Sequence, residues 1–425
     1  MHASGTTVRE LLEDLGSRLP ALGTKVYAEG EIQPFVNVYV DGEDVRTRDG
    51  LETPVREGAS VILLPAMAGG SITPPTGGRS RAAQPPSATA LPRLPHQAFR
   101  GRVTHTVPFG LARPAGPRER DGDVVANSLL DLIGNTPLVE LSRLSPPGRT
   151  IYAKLEGQNP TGSVKDRVAL AMVNAARVEP GDELLEPTSG NTGISLALVA
   201  KLRGLKLTCV MPANATPERR TLLELYGAEV IESPGDQGSN GAVRMAQELA
   251  AREPRYRMLF QYENEANPRA HYEGTGMEIA RDLERLDAFV AGLGTGGTLM
   301  GAGRRLREAF PGLQVVAAEP LPGDPVMGLR SLEDGYVPPV LDVTQLDRKL
   351  LVSNEDAAAA ARALLEREGI FAGVSSGAAV HVARRVAEEL PAGSVVATVL
   401  ADGGWKYLSA PFWQGEEIDE SRLWW

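Results

Sequence analysis

One lysine invites chemistry before any other residue does. In Asn159-Pro160-Thr161-Gly162-Ser163-Val164-Lys165-Asp166-Arg167 a Pro/Gly turn runs into a helical pattern, with Lys165 in the first turn. An ammonium there faces the positive end of the helix dipole among apolar neighbours, so its charged form is disfavoured and its pKa falls. A neutral lysine amine attacks carbonyls to form a Schiff base. Taken alone, the stretch also fits a surface lysine after a turn.

Three Gly-rich turns follow. Pro187-Thr188-Ser189-Gly190-Asn191-Thr192-Gly193 offers hydroxyls, an amide and clustered backbone N–H groups, which suits a carboxylate. Gly292-Leu293-Gly294-Thr295-Gly296-Gly297-Thr298 follows the strand pattern Phe289-Val290-Ala291 and precedes a helix. Its glycines let the backbone approach a phosphate, whose charge a helix N-terminus stabilises. It lacks the Lys-Ser/Thr of a nucleotide P-loop and the dinucleotide spacing, so a small monophosphate is favoured. Gly373-Val374-Ser375-Ser376-Gly377 matches the Gly-x-Ser-x-Gly of serine hydrolases, which need a histidine well downstream. His381 is the only one after it and sits along the same helix, where it cannot reach back to Ser375. An activated lysine, a carboxylate loop, a monophosphate loop and a late serine together fit pyridoxal phosphate.

The elements that position these residues alternate. From Asn127 onward come strand Ile151–Leu155, the Lys165 helix, strand Glu183–Glu186, a helix from Thr192, the Cys209 strand, a Thr221–Tyr226 helix and strand Glu229–Ile231. That rhythm predicts an α/β fold with a mostly parallel sheet, whose ligands bind beyond the strand C-termini. The N-terminal part differs. A helix from Thr7 to Leu15, capped by Thr6 or Thr7, precedes strands at Phe35–Val40 and Ser60–Pro65, with Asp41-Gly42 as a hairpin turn. Residues 71–122 lack periodicity and are rich in Pro, Gly, Ser, Ala and Arg, which predicts a disordered linker.

The chain has 425 residues, room for two or three domains. A net charge of −10 argues against nucleic acid as a partner, and the basic linker reads as a tether. The single cysteine, Cys209, lies in a buried strand pattern and rules out an internal disulfide framework. Five scattered histidines argue against a metal site. No secretory core or membrane span is evident, so a cytoplasmic protein is expected.

Two resemblances sharpen this picture. Phe35-Val36-Asn37-Val38-Tyr39-Val40 through Glu43-Asp44-Val45-Arg46, with Leu63-Leu64-Pro65-Ala66-Met67-Ala68-Gly69-Gly70, resemble the ubiquitin-like sulfur carriers. Their Gly-Gly terminus, here Gly69 and Gly70, is adenylated and made a thiocarboxylate. The resemblance is to a partial β-grasp domain over 1–70, because the family's first hairpin is missing ahead of the helix. It implies a protease cutting after Gly70 and a separate adenylating and sulfurating enzyme. Residues 123–425 resemble the fold-type II pyridoxal-phosphate cysteine synthases, a tryptophan synthase β-like fold of two open twisted α/β subdomains. The supporting runs are Gly134-Asn135-Thr136-Pro137-Leu138, Asn159 to Arg167, Glu186 to Gly193, Gly292 to Thr298, and Asp402-Gly403-Gly404-Trp405-Lys406-Tyr407-Leu408. They are most similar to O-phosphoserine sulfhydrylases fed by a carrier thiocarboxylate.

That likeness implies a role for each site residue. Lys165 carries pyridoxal 5′-phosphate and moves the Cα proton. Asn191 bonds the cofactor's 3-oxygen, while Thr188, Ser189, Gly190 and Thr192 join it around the substrate carboxylate. Gly294, Thr295, Gly296, Gly297 and Thr298 hold the phosphate, and Ser375 meets the pyridine nitrogen. Arg330, where acetylserine enzymes carry an apolar residue, offers a planar fork to a substrate phosphate. A homodimer and a Leu423–Trp425 tail folded over the cleft are also implied. Kept beside it are an O-acetylserine sulfhydrylase, a cystathionine β-synthase, a carrier released by cleavage after Gly70, and a relic module that only docks near the site.

Overall fold

The computed structural model describes residues 5–19, 26–28, 31–33, 36–65, 118–120, 123–179, 181–188, 190–215, 217–408, 410 and 413. Contacts divide it into two compact units, Met1–Ala68 with Ser128–Trp425, and Gly69–Asn127. In the second, Arg118–Arg120 pairs antiparallel with Asp123–Val125, and the expected linker boundary at Gly122 lies outside the described residues. The linker expectation for 71–117 lies outside the described residues.

Two larger sheets dominate the described residues of the first unit. The smaller is wholly parallel, in the order Glu229–Ser233, Lys206–Pro212, Glu183–Pro187, Tyr256–Met258. The larger runs Val61–Pro65, Val36–Val40, Glu43–Asp44, Arg348–Val352, Gln314–Pro320, Ala288–Gly292, Val395–Leu400, Thr150–Leu155, Leu138–Glu140. The five strands from Arg348–Val352 to Thr150–Leu155 are parallel to one another. Their sequences, such as Val395-Val-Ala-Thr-Val-Leu400, are near-continuous apolar runs because helices cover both faces. These are the two α/β subdomains expected. Cys209 is fully buried in the smaller one's core. Among the described residues no helix is long and apolar enough to cross a membrane.

The N-terminal module forms as its pattern predicts. The Thr7 hydroxyl caps helix Val8–Arg18 by accepting from the Glu10 N–H, and Val8 and Leu12 pack on Val38, Val40 and Val45. Asp41 and Gly42 both take positive φ, 50° and 78°, the pair a two-residue hairpin requires. Among the described residues no strand precedes this helix, and Val61–Pro65 is an outer edge of the sheet. A small hairpin, Tyr27–Ala28 with Ile32–Glu31, was not foreseen. Neither was the join. Glu43 pairs antiparallel with Leu350, so module and enzyme share one nine-stranded sheet. An open strand edge carries unpaired N–H and C=O groups, and here each body covers the other's.

Candidate active site

A cleft of about 430 Å³ opens beyond the C-terminal ends of the parallel strands. Lys165 stands at its floor. It begins helix Lys165–Ala175 because Asp166 folds its carboxylate back onto the Thr161 N–H (2.7 Å) and hydroxyl, closing the turn. The Val164 N–H donates to the Ala401 carbonyl (2.8 Å) and the Gly403 N–H to that of Gly162 (3.2 Å), tying the turn to the strand Val395–Leu400. Beneath lies a buried ion network. The Arg167 guanidinium donates to Glu156 (2.8 and 2.9 Å) and Glu278 (2.6 and 2.8 Å), and Lys154 Nζ lies 2.8 Å from Glu278. Asn159 Nδ2 donates to Glu156 Oε2 (2.7 Å) and its Oδ1 accepts from the Gly134 N–H (2.8 Å), so the network anchors the turn before Lys165. Burial lowers the Lys165 pKa, against the opposing pull of Asp402 and Glu156. The amine is thereby biased toward its neutral, nucleophilic form.

On one side the Pro187–Asn191 turn opens helix Asn191–Arg203. Thr188 Oγ accepts from the Gly190 and Gly193 N–H groups (3.3 and 3.2 Å), which shapes the loop, and Thr192 donates its hydroxyl to Gln261 Oε1 (2.7 Å). Asn191 is clamped. Its Nδ2 donates to Asp402 Oδ2 and its Oδ1 accepts from Lys406 Nζ, both at 2.7 Å, while the Tyr407 hydroxyl also reaches Asp402. Burial pushes Lys406 down to about 8, with Asp402 and Asp166 opposing.

On the other side Gly294, Thr295, Gly296 and Thr298 share a recess of about 40 Å³ with Lys165 and Ser375. Gly296 takes φ 87° and begins helix Gly297–Ala309; Thr295 Oγ accepts from the Gly297 N–H (3.3 Å), which leaves the later N–H groups of the first turn for an anion. Gly297 lines neither space. It allows close packing instead, since a Cβ there would lie 2.0 Å from Asn267 Oδ1. Behind the loop, Asn267 Nδ2 donates to Thr295 Oγ (2.9 Å) and His271 Nε2 lies 3.2 Å from the Thr298 hydroxyl. Ser375 sits in the first turn of helix Val374–Glu389, so the third Gly-rich stretch is a helix start and not a free turn. His381 lies further along that helix.

Arg330 lines the cleft as well. Its N–H donates to the Leu293 carbonyl (2.8 Å), its Nη1 to Asn240 Oδ1 (3.1 Å), and its guanidinium carbon is 5.2 Å from both the Tyr262 and Tyr336 ring centroids. Lys165, Thr188, Gly190, Asn191, Thr192, Gly294, Thr295, Ser375 and Arg330 therefore meet around one cleft. Ser189, Gly69, Gly70 and the Leu423–Trp425 tail lie outside the described residues.

This donor set fits pyridoxal phosphate. An amine of lowered pKa, a Gly-rich helix start and a neutral hydroxyl bound one recess, matching an aldehyde, a phosphate and a ring nitrogen. Residues 129–402 match the family of pyridoxal-phosphate dependent enzymes. The chain belongs to that family. Pyridoxal phosphate is the cofactor of this pyridoxal-phosphate enzyme. Residues 1–70 match the ThiS family, so the N-terminal domain is ThiS-like. The chain is 44% identical over 307 residues to a probable cysteine synthase of Bacillus subtilis (strain 168), covering 68% of this chain and 98% of that one. The structure of O-ureido-L-serine synthase is similar with a TM-score of 0.65 and 41% identity, covering 70% and 98% of the two chains. An O-acetylserine-dependent cystathionine β-synthase from Helicobacter pylori gives a TM-score of 0.62 and 35% identity, covering 67% and 98%. These homologues support pyridoxal-phosphate-dependent cysteine biosynthesis.

Four residues of the site carry no role in the sequence reading: Tyr407 and Arg219, which line the cleft, and Asp402 and Lys406, which stand behind Asn191. Asp402, Lys406 and Tyr407 form the clamp on Asn191, and their signal was present in the run Asp402–Leu408. Arg219 lines the cleft, 3.3 Å from the Met327 sulfur and 5.5 Å from the Tyr407 ring centroid. Nothing local marks it, because Pro217–Tyr226 reads as an ordinary amphipathic helix.

Proposed function

We propose that the chain makes cysteine by β-replacement on O-phosphoserine, with sulfide or a carrier-protein thiocarboxylate as sulfur donor. The observation that carries this is Arg330, held in the cleft lining between Tyr262 and Tyr336. A guanidinium offers two parallel N–H groups to a phosphate dianion, which an acetyl group does not need. Pyridoxal phosphate, when bound, supplies the electron sink that acidifies the substrate Cα–H and lets the β-substituent leave.

The chain's own residues do the rest. Lys165 binds the aldehyde through Nζ, then takes the Cα proton and later returns it, which burial favours by keeping the amine neutral. In the Thr188–Thr192 loop the Thr188 hydroxyl, which accepts from Gly190 and Gly193, keeps its own proton to donate to the substrate carboxylate, beside the N–H groups at the helix start. Asn191, its amide oriented by Lys406 and Asp402, donates toward the ring oxygen. The Gly294–Thr298 loop holds the phosphate at a helix N-terminus. Ser375 offers the ring nitrogen a hydroxyl in place of a carboxylate, which weakens the sink and favours elimination over a long-lived carbanion. The two halves of the reaction give ping-pong kinetics. For the ThiS-like module to donate sulfur, a protease must first cut after Gly70 and a separate enzyme must adenylate and sulfurate the new terminus.

The O-acetylserine-dependent relative supports a second reading, with O-acetylserine as substrate. Turnover of both substrates by the wild type and by Arg330→Ala decides between them. O-phosphoserine should be preferred, and Arg330→Ala should lower its kcat/KM by roughly 30- to 1,000-fold, about 2–4 kcal/mol, with little effect on O-acetylserine. Preference for O-acetylserine, with Arg330→Ala indifferent, would establish the second reading.

A further inference from the structure

The N-terminal module is built into the enzyme's sheet by charged as well as backbone contacts. Beside the Glu43–Leu350 pair, the Arg348 guanidinium donates to Glu43 (2.9 Å from Nη2), and Lys349 Nζ lies 3.5 Å from Asp44 and 2.9 Å from Glu319. Glu43, Asp44 and Lys349 are each no more than 5% exposed. Undocking would separate buried charges from their partners and open two strand edges, both costly. The module is a resident.

From this seat it reaches the segment that carries Arg330. Asn37 and Tyr39 project from one face of their strand, and Asn37 Nδ2 and the Tyr39 hydroxyl (3.2 Å) both donate to Glu333 Oε1. Glu333 is three residues from Arg330. Between them the Leu332 N–H donates to Glu319 Oε1 (2.7 Å), the carboxylate that Lys349 also holds. We propose that the docked module is a positioning element for Arg330, acting from Asn37 and Tyr39 through Glu333, and so sets the affinity for the substrate's phosphate. This rests on Arg330 as the phosphate-binding group.

The same seat removes the module as sulfur donor to its own cleft. Strand Val61–Pro65 lies five steps from Ala288–Gly292 and six from Val395–Leu400, beyond whose ends Lys165 sits. At about 4.8 Å per step that is roughly 24–29 Å. The five residues from Ala66 to Gly70 span at most about 17 Å when extended. The strand also runs antiparallel to Arg348–Val352, so its end points away from the cleft face. The donor for a docked chain is then sulfide or the thiocarboxylate of another molecule.

The test uses the full-length, cofactor-loaded protein with sulfide. KM and kcat for O-phosphoserine and O-acetylserine are measured for wild type, Asn37→Ala, Tyr39→Phe and Arg330→Ala, and binding of inorganic phosphate is measured by calorimetry. Asn37→Ala should raise the O-phosphoserine KM and the phosphate Kd about tenfold, the scale of one lost hydrogen bond to a charged group, with kcat and O-acetylserine KM unmoved. Tyr39→Phe, which removes one hydroxyl, should move both in the same direction by less. Unfolding midpoints confirm that the variants fold. Unchanged phosphate affinity in both module variants, or equal loss for both substrates, overturns the proposal while Arg330→Ala still raises the O-phosphoserine KM. If Arg330→Ala leaves that KM unchanged, the phosphate reading of Arg330 fails and the positioning role falls with it.

Discussion

Replacing Glu278 by alanine tests how the Lys165 turn is held. The Glu278 carboxylate accepts from Arg167 at 2.6 and 2.8 Å, from Lys154 at 2.8 Å and from the Asn135 N–H at 3.0 Å. With Glu156 it balances two cations in a space where Lys154 is 0% and Arg167 6% exposed. Burial by itself would raise the Glu278 pKa, yet Arg167 and Lys154 hold it down to about 2. A fall from 4.5 to about 2 corresponds to about 3 kcal/mol of stability. Because the folded pKa lies below the unfolded one, that stability is fully present above about pH 4.5 and is lost as the pH falls toward 2. Glu278→Ala should therefore cost about 3–5 kcal/mol at neutral pH, since a buried positive charge is left uncompensated. Urea unfolding followed by tryptophan fluorescence measures it. The gap between wild type and variant should shrink by about 1 kcal/mol on going to about pH 3.5. Cofactor occupancy should drop as well, because Asn159 loses the support of an intact network. A loss below about 1 kcal/mol at neutral pH, or a gap that does not narrow in acid, would refute this account of the network.

Three further outcomes follow from the geometry. Lys406→Met removes the donor to Asn191 Oδ1, so the cofactor Kd from fluorescence titration should rise about tenfold; an unchanged Kd would show that Asn191 needs no clamp. Gly296→Ala puts a side chain on a backbone at φ 87°, 2.9 Å from Leu341 Cβ, and should cost about 1–3 kcal/mol in thermal unfolding with weaker cofactor retention. Arg348→Ala takes one of two cations from buried Glu43, leaving Arg48 at 3.3 Å, and should loosen the module by about 1–2 kcal/mol, read as faster limited proteolysis between module and enzyme with the catalytic domain intact.

Much of the site was legible because its parts are local. Lys165 after its turn, the two loops that open helices and Ser375 each depend on a few consecutive residues. The parallel strands were legible for a similar reason, as short apolar runs between turn signals. Other features have no local mark. Lys154, Glu156, Arg167 and Glu278 read singly as charges on amphipathic elements, and only packing buries them together. Lys406 was visible within a run, but its hold on Asn191 joins segments far apart in the chain. Arg219 looks like any residue of a surface helix.

The N-terminal module shows the same division. Its helix and its hairpin turn follow from sequence, since capping and turn conformation are properties of neighbours along the chain. Sequence by itself thus determined the kind of fold and the cofactor, pyridoxal phosphate, and picked out the lysine and Gly-rich loop that the cleft brings together. Only the tertiary structure decided that Glu43–Asp44 completes the enzyme's sheet and that Asn37 and Tyr39 hold Glu333. Strand edges pair through backbone groups that every sequence carries, so which edges meet is settled by packing and by charges that become partners only once the chain is folded.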